Sequence, residues 1–144
     1  MPAKDLYHEA VRVALVKDGW KITNDPYTIK FEEIKLFADL AAERMFVAQR
    51  DSQKIIVEIK SFLGLSFIND LKKSIGQYVI YQKILSVKAP EYDLYLAIDR
   101  DTYATFFLQR AVQFIVQASQ VSLLIFNVDE ETIEQWIKQP LTES

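Results

Sequence analysis

The chain has 144 residues, half of them hydrophobic and 12% aromatic, with three glycines and no cysteine. One core in one domain spanning 1–144 suits that length, and the missing cysteines exclude disulfides, thiolate metal sites and a Cys nucleophile, fitting a reducing compartment. Net charge is −3, and the acidity is terminal: residues 127–144 hold five acids and one base, against 15 acids and 16 bases in residues 1–126, which is not the positive field of a tight non-specific nucleic-acid binder.

In chain order, the opening "MPAKDLYHEAV" has no apolar signal segment, and no run of about 18 apolar residues follows anywhere, so a cytoplasmic protein with no membrane span is expected. Asp5 reads as the cap of a helix running to about Lys17, with Gly19 as its stop and Leu6, Ala10, Val13 and Ala14 as its apolar stripe. "GWKITND" alternates as a short strand that Pro26 ends, while "TIKFEEIKLF" is ambiguous. "DLAAERM" is helical by propensity. Yet "RMFVAQR", "RDSQ" and "KIIVEIK" together read as a hairpin with its turn at Arg50–Gln53. Strands are therefore expected near 35–41, 44–50 and 54–60. Ser66 opens a long helix to about Leu85, bounded by Gly64 and Pro90. "YDLYLAID" is a strand, 102–119 a helix, "VSLLIFNV" a buried strand, and Asp129 the cap of a last helix carrying Trp136. This order predicts an α/β fold, one mixed central sheet with helices on both faces. Three glycines are too few for the common phosphate-binding loops.

The chemistry concentrates in "KIIVEIKSF". Strand alternation sends Ile55, Val57 and Ile59 to one face and Ile56, Glu58 and Lys60 to the other. Glu58 and Lys60 are then neighbours, roughly 7 Å apart along the strand. Two other acid-x-Lys triplets exist, starting at Glu33 and Asp70, so the triplet alone says little; an antiparallel strand with one wet face would carry it too. Context separates them. The Asp70 triplet lies in a helix, where residues two apart do not face each other. Only Glu58 and Lys60 follow a hairpin arm that itself holds a lone acid, Asp39, among Phe37, Ala38, Leu40 and Ala41. A carboxylate in such surroundings is costly unless paired or metal-bound. Two of them from adjacent strands raise one another's pKa or recruit a cation. Mg²⁺ takes one or two carboxylates plus phosphates and waters, and Lys60 is placed to hold a phosphate oxygen or the attacking water.

This set resembles the PD-(D/E)xK nuclease core: Asp39, then Glu58-Ile59-Lys60 on the next strand, then a helix whose Gln77 and Tyr81 lie four apart on one face. The resemblance implies Lys60, Gln77 and Tyr81 as catalytic residues, and Asp39, Glu58 and Glu9 of "YHEAVRVAL" as ligands to Mg²⁺, with Mn²⁺ as an alternative. Ala38 stands where that superfamily usually has a proline. Over nearly the whole chain, "KDLYHEAVRVALVKDGWKITNDP", "FADLAAER", "VEIKSF" and "YLAIDRDTYATFF" resemble the XisH family, the fdxN element excision controlling factors. That likeness implies a restriction-endonuclease-like fold. It also implies a part in programmed DNA excision during cyanobacterial heterocyst differentiation, alongside a site-specific recombinase and a small partner, XisI. Two readings stand. One is a metal-dependent deoxyribonuclease acting on DNA; the other is a non-catalytic accessory protein that binds XisI or the recombination machinery on a nuclease-like frame.

Other features have plain alternatives. His8, the only histidine, reads as helix surface or a local hydrogen-bonding residue. Lys72, Lys73 and Lys83 line a phosphate backbone or simply a solvated helix face. Gln109, Gln113 and Gln117 recur at every fourth position; a charge-poor stripe of this kind suits a contact with another protein or a second copy.

Overall fold

A computed structural model describes residues 5–46 and 51–139. Helix α1 (His8–Lys17) leads to strand β1 (Lys21–Asn24), strands β2 (Tyr27–Phe31) and β3 (Ile34–Ala38), then β4 (Leu40–Phe46) and β5 (Asp51–Ile59). Helix α2 (Phe67–Lys88), β6 (Tyr92–Asp99), a short turn α3 (Arg100–Thr102) that runs into a π-helical turn at Tyr103–Phe107, helix α4 (Arg110–Ala118), β7 (Leu123–Asn127) and β8 (Thr132–Ile137) complete it. Six strands form one mixed sheet in the order β1-β4-β5-β6-β7-β8. Its centre, β5-β6-β7, is parallel and its flanks are antiparallel. β2 and β3 pair with each other as a separate hairpin. The expected α/β architecture is thus present, with one layer of helix on each side of the sheet.

The two faces of β5 sort as alternation requires. Ile55, Val57 and Ile59 pack with Val11, Leu15, Trp20 and Phe126 beneath α1. Ile56 packs on the other face with Tyr78, Tyr81, Phe107, Val112 and Val116, beneath α2 and α4. On α1 the buried stripe is His8, Ala10, Val11, Ala14 and Leu15: Ala10 and Ala14 are buried as expected, Val13 is half-buried and Leu6 is exposed. Asp5 does not cap the helix directly. Its carbonyl accepts from His8 N–H and its Oδ1 from Tyr7 N–H. The α2 start is as expected, with Ser66 Oγ accepting from Asn69 N–H, and the helix continues past Leu85 to Lys88. No helix among the described residues is long and apolar enough to cross a membrane.

Four expectations fail for local reasons. The strand expected over 35–41 breaks at Asp39, so β3 and β4 belong to different sheets. The strand expected at 44–50 starts earlier, as β4, and β5 begins at Asp51, inside the expected turn; residues 47–50 lie outside those described. The helix expected over 102–119 is split: Gln109 is extended, and Gln113 folds back to donate to the Phe107 carbonyl. The helix expected from Asp129 is strand β8. There Asn127 Oδ1 accepts from both Asp129 and Glu130 N–H (3.0 Å each), and Glu131 takes φ 54°. That side-chain turn folds the chain back into a hairpin, and Trp136 packs on Trp20 and Tyr95.

Candidate active site

β4 and β5 pair with Leu40 opposite Val57. One step further along that register sets Asp39 opposite Glu58, on the face that bears Ile56 and Tyr81. The ladder does not continue there. Asp39 N–H donates to Glu58 Oε1 at 3.0 Å, and Ile59 N–H donates to Asp39 Oδ2 at 2.8 Å. Each strand's next amide is taken by the other strand's carboxylate. This exchange bends the chain at Asp39 and fixes both acids at the end of the β4–β5 ladder.

Among the described residues neither acid receives a second hydrogen bond. Glu58 is buried, and its pKa lies above the ordinary 4.5, pushed up to about 9 by burial first and by the charge of Asp39 second. Asp39 is also raised, by burial, against the lowering effects of the Ile59 N–H and of His8. A buried and a half-buried carboxylate with so few donors hold protons or share a cation. Two acids with open oxygens fit Mg²⁺, which fills its other positions with water and phosphate. Among the described residues no three His, Asp or Glu side chains converge tightly enough to cage an ion unaided.

Lys60 is the residue just past the end of β5 and is half-buried, and among the described residues its ammonium makes no ion pair. Its backbone is held from both sides. Lys60 N–H donates to the Ala97 carbonyl at 3.2 Å, and the next amide, of Ser61, donates to Asp5 Oδ2 at 3.0 Å. Tyr81 and Gln77 arrive from α2. Tyr81 O–H donates to the Phe37 carbonyl at 2.9 Å, and Gln77 Nε2 donates to the Tyr81 hydroxyl at 3.4 Å. Burial and the nearby Glu58 raise the Tyr81 pKa, so it is a neutral phenol bracing the end of β3 two residues before Asp39. Glu9 is not drawn into the cluster: it is exposed, with both its oxygens on Arg12.

His8 is no surface residue. It is buried, its Nε2 lies 2.8 Å from Asp25 Oδ1, and its Nδ1 is buried without a hydrogen-bond partner among the described residues. Its place at i, i+3, i+7 with Val11 and Leu15 carried that signal. Asp5, just before α1, reaches Ser61 across 56 residues, and Asp25 reaches His8 at the start of α1 across 17; nothing in their local sequence marks these contacts. The glutamine stripe is broken, since Gln113 turns inward while Gln109 and Gln117 stay exposed.

Comparison with known proteins follows this geometry. The family model described as "XisH protein" matches residues 1–134. A crystal structure of an XisH family protein from Nostoc punctiforme is 41% identical, covers 93% of this chain and 100% of that one, and superposes with a TM-score of 0.85. A crystal structure of a fdxN element excision controlling factor protein from Anabaena variabilis is 42% identical, covers 94% and 100%, and also has a TM-score of 0.85. No curated protein matches.

Proposed function

The chain belongs to the XisH family, and from that premise we propose that it hydrolyses a DNA phosphodiester bond in the excision of a DNA element, as a PD-(D/E)xK-type nuclease. One relative carries the excision-control description. The observation that carries the nuclease reading is the Asp39–Glu58 pair: two acids at one ladder end, with Glu58 pushed up to about 9. Asp39 and Glu58 would hold Mg²⁺ or Mn²⁺ through their open oxygens. The ion, when bound, supplies neutralisation of phosphate charge and a more acidic water. Lys60 places its ammonium against a phosphate oxygen or the attacking water. Tyr81 and Gln77 keep the β3 end, and with it Asp39, in place. Glu9 has no part in this reading. The setting is cytoplasmic, with XisI, a site-specific recombinase and a second copy as the expected partners.

The test is nicking of supercoiled and branched DNA with Mg²⁺ or Mn²⁺ by wild type, Glu58→Ala and Lys60→Ala. Activity only in the wild type supports the reading. Equal activity in all three preparations removes it. One observation favours the accessory-protein alternative: Asp39 and Glu58 already serve as caps of a broken ladder, a structural use that needs no ion. In that case Mg²⁺ leaves the melting temperature unchanged.

A further inference from the structure

The segment after Lys60 is built to hold apolar side chains in water. Phe62 takes φ 55°, a costly backbone for a bulky residue. Its buried ring is set against Phe67 (5.5 Å between centroids) and Phe107 (5.4 Å). Gly64 N–H donates to Asp70 Oδ2 at 3.1 Å, and a Cβ at position 64 would stand 2.6 Å from that oxygen, so a side chain there would push the Asp70 carboxylate aside. Ser66 then caps α2. Between these anchors Leu63 is 58% exposed and Leu65 110%, with Ile68 beside them at 53%. A flexible loop could tuck its leucines away; this one is pinned on both sides and forgoes the burial.

The surroundings of the tip name its occupant. Exposed Lys72 and Lys73 follow the tip on α2, one turn past Ile68, and half-buried Lys60 precedes it in the chain. Asp70, the acid of that turn, is folded onto Gly64. Lysines flanking an apolar tip in the chain match a polyanion with an apolar, stacked interior. Five residues separate Lys60 from Leu65, at most about 17 Å of chain, which is within about five base steps of a duplex.

We infer that the Leu63–Gly64–Leu65 tip is a wedge that enters between stacked bases beside the acid pair, so the DNA handled there is kinked or locally opened. This rests on the nuclease reading above and names its substrate class. The leucine contacts offset the cost of unstacking one base step. The lysines hold the flanking phosphates.

The test uses the full chain and a duplex carrying 2-aminopurine at successive positions, with Ca²⁺ in place of Mg²⁺ to keep the strands intact. Anisotropy reads binding and 2-aminopurine emission reads unstacking. With wild type, emission rises several-fold at one or two adjacent positions. With Leu63→Ser/Leu65→Ser, both surface changes, it stays at the free-duplex level and binding weakens by about tenfold. A duplex with preformed unpaired bases restores that binding. Binding without any rise in emission, or a rise that the double variant reproduces, overturns the wedge. Unstacking without cleavage in Mg²⁺ keeps the wedge and removes the hydrolase; cleavage without unstacking does the reverse. If wild type binds no DNA, both fall and the tip is left to a protein partner.

Discussion

Asp99 and Glu58 are both buried acids, 5% and 7% exposed, near the C-terminal ends of adjacent parallel strands. The fold treats them in opposite ways. Asp99 has a backbone donor on each oxygen, Val128 N–H at 3.0 Å on Oδ1 and Asp101 N–H at 3.1 Å on Oδ2. Among the described residues Glu58 has one donor, on one oxygen, and a second carboxylate facing it. Asp99 closes a corner between β6 and β7 with both of its oxygens engaged. The Asp39–Glu58 end spends one oxygen of each acid on the ladder and keeps the others open. A protein that merely needed to end a β-ladder would do better with neutral groups, since a second buried acid adds repulsion.

The largest expected effect lies on the open side of that contrast. Glu58→Ala or Asp39→Ala lowers Mg²⁺-dependent nicking by at least about 100-fold, the scale of losing one group that stabilises transition-state charge. Asp99→Ala leaves the metal dependence of the surviving activity unchanged. Instead it lowers stability by about 2–4 kcal/mol, because two buried amides lose their acceptor, as read by urea or thermal unfolding. Were Asp99→Ala to abolish metal dependence, the two ends of the sheet would not be separable.

Next in size is a gain. A folded acid titrating above its unfolded value keeps a proton that the unfolded chain has released. Stability therefore falls as pH rises from the ordinary 4.5 toward about 9. Glu58→Gln removes that loss and keeps an acceptor for Asp39 N–H. It should stabilise the metal-free protein by about 1–3 kcal/mol at pH 8, with the gain vanishing near pH 4. Mg²⁺ should raise the melting temperature of wild type and not of Glu58→Gln. A Glu58→Gln protein less stable than wild type at pH 8 would make Glu58 a finished structural acid like Asp99.

The same contrast explains what the sequence made legible. Asp39 and Glu58 could be paired from strand alternation and a 19-residue spacing, both short-range patterns. Ser66 as a cap and the apolar runs of β5, β6 and β7 were equally local. β8 escaped because one side chain, Asn127, makes the turn that Asp129 was expected to convert into a helix start. The split of 102–119 escaped because no Gly or Pro marks it; the extended backbone of Gln109 divides the helix, and Gln113 folds back onto Phe107 across the break. Asp5 on Ser61 and His8 on Asp25 are tertiary contacts between residues that look ordinary where they stand.

The smallest effect concerns the outer rim of the open end, where resemblance and geometry differ. The resemblance makes Gln77 catalytic, whereas its one hydrogen bond among the described residues is a long one to the Tyr81 hydroxyl, which is itself committed to the Phe37 carbonyl. An exposed donor at 3.4 Å contributes little. Gln77→Ala should change stability by no more than about 0.5 kcal/mol. Tyr81→Phe strands a carbonyl at the end of β3 and should cost about 1 kcal/mol. Both should lower nicking less than Glu58→Ala does. A double-mutant cycle then decides the role. If Gln77 acts only by bracing Tyr81, the pair Gln77→Ala/Tyr81→Phe is no slower than Tyr81→Phe alone. If Gln77 meets the reacting phosphate, the two losses multiply, and Gln77→Ala alone approaches the effect of removing an acid.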